Sequence, residues 1–283
     1  MRRWQVEESQ CAGVGIPLAG ALPRLAPRVR CSSMISNRAV GAKRLALLSA
    51  VACLLAGQAL ANTRSNWVSD FRQGLKGWTV VQIDKKVPAT RFEQISMGGI
   101  DAVQATAVKS MALLTRKVVV DLEQTPVACW QWRVSNALRT ADITRKTGDD
   151  QAARIYIGLK LPANSMSLGT RTKLAIARSR GGDLVPDGTI NYVWDNRLPE
   201  GTVRPNVYTD RARVVVMQSG NAKAGQWVSE RRNVAQDIAQ QFKTSAGRVT
   251  TIAVSSDTDN TGETVAAAFA NLHFVGQAQA CEF

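Results

Sequence analysis

From residue 62 onward, hydrophobic and polar positions alternate in short runs, a period of two that predicts β-strands rather than helices. The runs fall at Thr79–Ile83, Val118–Leu122, Cys129–Val134, Ala153–Leu159, Thr189–Trp194, Arg211–Met217, Trp227–Arg231, Val249–Ser255 and Val265–Phe274. Turn-forming groups separate them, among them Gly98-Gly99, Gly181-Gly182, Pro186-Asp187-Gly188, Ser219-Gly220-Asn221 and Asp259–Gly262. A helical period shows only in Val234–Phe242, where Val234, Ile238 and Phe242 recur every fourth residue and Asn233 can cap. Many short strands and one short helix predict an all-β fold, a jelly-roll-like β-sandwich of the galactose-binding-like or concanavalin-like kind.

The same alternation assigns faces. Trp130, Trp132 and Val134 point one way, with Arg133 on the other side; Ala153, Ile155, Ile157 and Leu159 form a core set opposite Arg154 and Tyr156. In Arg211–Met217 the set Ala212, Val214, Val216 reads as core against Arg211 and Arg213. If these strands are neighbours, Arg133, Arg154, Tyr156, Arg211 and Arg213 make a basic, partly aromatic sheet face, and Tyr208 adds a loop residue beside it. The plainer alternative is a solvated face whose arginines pair with Asp149 and Asp150.

Upstream of residue 62 the pattern changes. Arg38, Lys43 and Arg44 precede the apolar stretch Leu45–Gly57, and Ala59-Leu60-Ala61 has the A-x-A form of a cleavage site. Residues 34–61 therefore read as a signal peptide, residues 1–33 as an extension ahead of the start at Met34, and residues 62–283 as a single β-sandwich domain. The apolar stretch is shorter than the roughly 20 residues of a membrane span, so no stable anchor is expected after cleavage. The expected location is periplasmic or secreted.

Charge changes meaning once the leader is set aside. The 283 residues carry 36 Lys and Arg against 22 Asp and Glu, and residues 62–283 retain 28 against 20. That moderate excess, with no basic run longer than a pair and no nucleic-acid motif, excludes nucleic acid as the expected partner and suits a carbohydrate or an anionic cell-envelope ligand. Only Cys129 and Cys281 lie beyond the leader. In an oxidising compartment they form either a disulfide or two separate thiols.

Seven segments then resemble known motifs in order: PATRF from Pro88, WQWRV from Trp130, KTGDDQAARIYIGL from Lys146, NYVW from Asn191, PNVYTDRAR from Pro205, GQWVSER from Gly225 and DTDNTG from Asp257. They resemble the bacterial domain-of-unknown-function family numbered 3047, departing from it at Gln151, where an aromatic residue is expected. The resemblance implies an exported, β-rich protein with no established activity, and so assigns no catalytic residues. The segment WVSDFRQGLKGW from Trp67 is also similar to the opening of jelly-roll sugar-binding modules.

Candidate chemistry is sparse. The sequence contains no G-x-S-x-G, P-loop, HExxH or CxxC motif, and its one histidine, His273, shares a predicted strand face with Phe269 and Asn271, as a structural residue would. Asp257 and Asp259 resemble the first half of a calcium loop, but Thr261 and Ala268 stand where further ligands should, so a hairpin turn competes with a calcium site. Asp149 and Asp150 offer a second carboxylate pair. Tyr156, Tyr192, Trp194 and Tyr208 with Asn191 and Asn206 are the residue mix that stacks on sugar rings, although Tyr192 and Trp194 also alternate as core residues do.

These features favour a non-catalytic exported module that binds carbohydrate or another envelope ligand. A polysaccharide lyase or glycoside hydrolase using Tyr156 or the paired aspartates is the alternative, and an envelope scaffold a third.

Overall fold

The computed structural model describes residues 65–182, 185–244 and 247–283. The signal peptide expected over residues 34–61, and the extension before it, lie outside the described residues.

Thirteen strands form two sheets. In chain order they are β1 (Asn66–Ser69), β2 (Thr79–Val81), β3 (Arg91–Met97), β4 (Ile100–Val108), β5 (Leu113–Asp121), β6 (Val127–Val134), β7 (Gln151–Lys160), β8 (Gly188–Asp195), β9 (Val203–Pro205), β10 (Ala212–Ser219), β11 (Val228–Asn233), β12 (Arg248–Asp257) and β13 (Thr264–Val275). The first sheet runs β11-β6-β13-β4-β3, with β1 also paired to β13; the second runs β2-β5-β12-β7-β8-β10-β9. Within them only β8 and β10 pair in parallel.

Alternation explains the core. On β6, Trp130 and Trp132 face inward and meet Tyr192 and Trp194 of β8: Trp130 stacks on Tyr192 at 5.2 Å, and Trp132 lies 5.8 Å from Trp194. Ile155, Ile157 and Leu159 of β7 join the same buried layer. Burying aromatic residues of this size gives the sandwich most of its cohesion, at about 25 cal/mol per Å² of apolar surface.

Polar groups buried at the sandwich edges are partnered. Tyr192 donates to Asp237 at 2.7 Å, and Asp237 also receives both Nε and Nη2 of Arg232, at 2.8 and 2.5 Å. Glu230 accepts from Trp132 Nε1 at 3.1 Å and Gln218 Nε2 at 2.8 Å. Burial pushes the Glu230 carboxyl up to about 7, against the lowering effect of those two donors.

Among the described residues there are two α-helices where one was expected. Helix α1 (Leu168–Gly181) is capped by Ser167, whose hydroxyl accepts from Thr170 N. It escapes the periodic pattern because Leu174 is the one apolar residue it is shown to bury, so it carries no apolar stripe. Helix α2 (Val234–Phe242) has the predicted bounds, with the Asn233 side chain accepting from Gln236 N.

Two face assignments change. A register shift between Ala270 and His273, with Asn271 at φ 52°, turns His273 off the face of Phe269. It stacks instead on Trp67 at 4.5 Å, shares a hydrogen bond between Nδ1 and Asn271 O, and accepts from Glu282 N through Nε2. In β10 it is Val215 that enters the main core, while Val214 and Val216 pack with Ile143 and Val193 on the outer side. A run of three valines buried on both faces cannot reveal its own phase.

Cys129 and Cys281 are joined as a disulfide, tying the C-terminal segment to β6.

Candidate functional site

The outer face of the second sheet holds the most distinctive chemistry. Register places Arg154 and Tyr156 of β7 beside Ser255 and Ala253 of β12 on one flank, and beside Val193 and Asn191 of β8 on the other. Loops rise around this floor to enclose a cleft of about 410 Å³. Ile83, Val87 and Met111 form one wall, and Asn206, Tyr208 and Thr209 line it as well.

Arg154 organises the polar end. Its Nη2 reaches Asp149 O at 3.0 Å, Asp149 Oδ1 at 3.3 Å and Asp257 Oδ2 at 3.4 Å, and its guanidinium lies 5.5 Å from the Tyr156 ring centroid. Burial works against this charge, but Asp149 and Asp257 outweigh it and hold Arg154 protonated well above its ordinary range. Burial also pushes the Asp257 carboxyl up to about 8; Arg154 opposes that rise, and Asp150, Asp149 and Asp259 add to it. Asp259 is raised, first by burial and then by Asp150. The Tyr156 phenol is driven well up by burial, which leaves it a poor base at neutral pH.

The floor is incompletely satisfied. Arg154 Nε and Asn191 Oδ1 are buried with no hydrogen-bond partner among the described residues. Asn191 is 2% exposed and lines the cleft. Buried polar atoms normally find partners, so two unpaired ones at a cleft floor are the groups a ligand would complete. Tyr208, 58% exposed, lines the same cleft, its hydroxyl donating to Lys146 O at 2.7 Å and its backbone N to Asn206 Oδ1 at 2.9 Å. Asn206 Nδ2 in turn donates to Asp149 Oδ2 at 3.2 Å.

The structure thus brings together Arg154, Tyr156, Tyr208, Asp149, Asp257 and Asp259, but breaks up the predicted basic face. Arg133 belongs to the first sheet, where its Nε donates to Gly225 O. Arg211 and Arg213 point away from the Arg154 side and lie 5.4 and 5.5 Å from the Phe242 ring centroid. Both corrections have one cause: alternation within a strand fixes neither its sheet nor, in a valine run, its phase. Arg211 still reaches an adjoining cavity of about 660 Å³ that shares Tyr208 with the cleft. Of the sugar-stacking mix, Tyr192 and Trp194 are core, whereas Tyr156, Tyr208, Asn191 and Asn206 line the cleft. Val87 and Met111 of the apolar wall were missed because they come from loops with no strand period, and Ile83, expected at the end of a strand, lies in the loop beyond Val81.

The acidic loop after β12 is held by protein groups. Asp257 Oδ1 accepts from Gln151 N at 3.1 Å. Asp150 accepts from Asn260 N and Nδ2 and from Thr261 N, which ties the turn to the residue just before β7.

These features define a two-sheet β-sandwich with a cleft on one outer face, apolar over most of its lining and charged at one end. The chain belongs to the family described as "Protein of unknown function (DUF3047)", which matches residues 76–273. No curated protein matches the sequence.

Three solved structures are similar at low identity. The glycoside hydrolase domain of Endo-D from Streptococcus pneumoniae R6 has TM-score 0.32 and 6% identity, over 71% of this chain and 22% of that one, so this chain spans about a fifth of that protein. The xyloglucanase domain of NopAA, a type three effector from Sinorhizobium fredii in complex with cellobiose, has TM-score 0.36 and 10% identity, over 71% and 95%. The cellulose induced protein Cip1 has TM-score 0.36 and 11% identity, over 77% and 100%. None of the three is close enough to bear on chemistry.

Proposed function

We propose that the protein is an exported carbohydrate-binding module, with its site in the cleft over Arg154, Tyr156 and Asn191. The observation that carries this reading is the pair of unpartnered buried groups, Arg154 Nε and Asn191 Oδ1, on residues that line the same cleft as the exposed Tyr208 ring. One donor and one acceptor in a cleft with an exposed aromatic ring suit a hydroxyl-bearing ring, and the leader sequence supports a role outside the cytoplasm. Asp84, Asp149 and Asp259 line the cleft against Arg154, an acidic excess that disfavours uronic acids and other anions. The ligand is therefore a neutral glycan.

Calorimetric titration with neutral gluco-, xylo- and manno-oligosaccharides, beside uronic-acid oligosaccharides, tests this. Neutral sugars are expected to bind, and Tyr208→Ala is expected to weaken them about tenfold, as loss of one buried aromatic contact does. Preference for uronates, or binding unchanged in both Tyr208→Ala and Asn191→Ala, would overturn the reading.

One observation favours a second reading, hydrolysis of the bound glycan. Asp257 is held near 8, so its carboxyl carries a proton at neutral pH, the state a general acid requires. Chromatography of the oligosaccharides after incubation decides the matter: cleavage that disappears in Asp257→Asn would establish it, and intact sugars would leave the binding role alone.

A further inference from the structure

The cleft over Arg154 does not end at Tyr156. Beyond that ring the same sheet face continues into a second cavity of about 420 Å³, and Ile83, Tyr156 and Thr189 line both. The second cavity differs in chemistry: its other walls include Val81, Leu113, Pro186 and Ala253, with threonines as the polar side chains and no charged residue. Gly158 in its floor is closely packed, since a Cβ there would lie 3.1 Å from Thr251 Cβ and 3.4 Å from Pro186 Cβ. Ile83, at the junction, is 64% exposed, a large apolar side chain left in water beside an apolar trough. Thr115 Oγ1 is buried in the trough wall with no hydrogen-bond partner among the described residues.

We propose that the ligand is amphiphilic, a neutral sugar with an alkyl or acyl chain, whose head lies over Arg154 and Asn191 and whose chain lies in the Val81–Leu113–Pro186 trough. This rests on the carbohydrate reading of the cleft and extends it. Continuity through the shared Tyr156 ring assigns the trough to the same molecule rather than to a separate partner. Its volume fits a small-molecule chain and is too small for a helix from another protein. The unpartnered Thr115 hydroxyl suits a chain that bears oxygen at its polar end, as a glycoside ether or an ester does.

The test compares methyl with n-octyl glycosides of the same sugars, below the micelle concentration, with n-octanol as the tail-only probe. Each methylene that enters the trough should tighten binding about fourfold until the trough is filled, following roughly 0.8 kcal/mol per buried CH₂. Val81→Asp should remove that increment and leave methyl-glycoside affinity unchanged. Val119→Asp, on an exposed residue of β5 outside the trough, should change neither, and circular dichroism verifies that both variants fold. Methyl and octyl glycosides that bind alike would overturn the amphiphile while leaving the sugar site standing. Octanol binding as tightly as the octyl glycosides would overturn the carbohydrate reading while the trough remains an apolar site. An octyl advantage that survives Val81→Asp would place the chain elsewhere and overturn the assignment.

Discussion

Two tyrosine–aspartate–arginine clusters are built from the same residue types and come out differently. In Tyr192–Asp237–Arg232 the carboxylate receives the phenol and two guanidinium donors, at 2.7, 2.8 and 2.5 Å. In Tyr156–Asp257–Arg154 the guanidinium reaches its carboxylates through one nitrogen at 3.3 and 3.4 Å, and Nε is left unpaired. The first cluster is saturated and fastens α2 and β11 to the sandwich. The second crowds several carboxylates around one cation and faces an open cleft. Unmet hydrogen-bonding capacity, rather than residue type, separates a fastening from a site.

The largest effect should come from breaking the closed cluster. Asp237→Ala leaves Arg232 and the Tyr192 hydroxyl without their partner and is expected to cost about 3 kcal/mol in urea unfolding. A loss under 1 kcal/mol would mean that saturation there contributes little.

Next comes Glu230, another buried acid with its donors in place. Its native value of about 7 lies above the ordinary 4.5, so the folded state holds an extra proton between those limits. Stability should therefore fall as pH rises through that window and level off above it. Glu230→Gln should recover about 2 kcal/mol at pH 8.5 and nothing at pH 4.5, read as a melting-temperature difference of several degrees at the higher pH only.

In the open cluster, Asn191→Ala removes an acceptor with no partner, so its stability should stay within about 1 kcal/mol of the parent while sugar affinity falls several-fold. Destabilisation comparable to that of Asp237→Ala would mean the two clusters are alike after all. The smallest effect is expected from calcium. With Asp150 closing the 257–262 turn, millimolar calcium against chelator should move the melting temperature by less than about 1 °C, and a rise of several degrees would restore the cation site.

Much of the frame was legible in the sequence. WQWRV and ARIYIGL alternate so strictly that the facing Trp130, Trp132 and Ile155, Ile157 layers could be drawn without coordinates, and Asn233 announced α2. The β3–β4 hairpin was not, although its Gly98-Gly99 turn was visible, because Glu93, Gln94, Gln104 and Thr106 dilute the apolar rhythm on a solvated edge. Arg154, Tyr156 and Tyr208 could be singled out by residue type and phase. Their company could not, since joining Arg154 to Asp257 requires β7 beside β12, a pairing between residues about a hundred positions apart. The unpaired state of Asn191 Oδ1 leaves no trace in sequence, being a property of everything around it.

The strand order bears on when the molecule can fold at all. β12 lies between β5 and β7 in one sheet, and β13 lies between β6 and β4 in the other while also holding β1. The last two strands of the chain are thus interior, one in each sheet, and until they emerge β5 and β7 lack a neighbour in one sheet and β1, β4 and β6 in the other. Such a chain has high contact order, slow closure and little persistent structure in its N-terminal portions. For a polypeptide exported as we propose, that delay would keep it threadable until translocation is nearly complete.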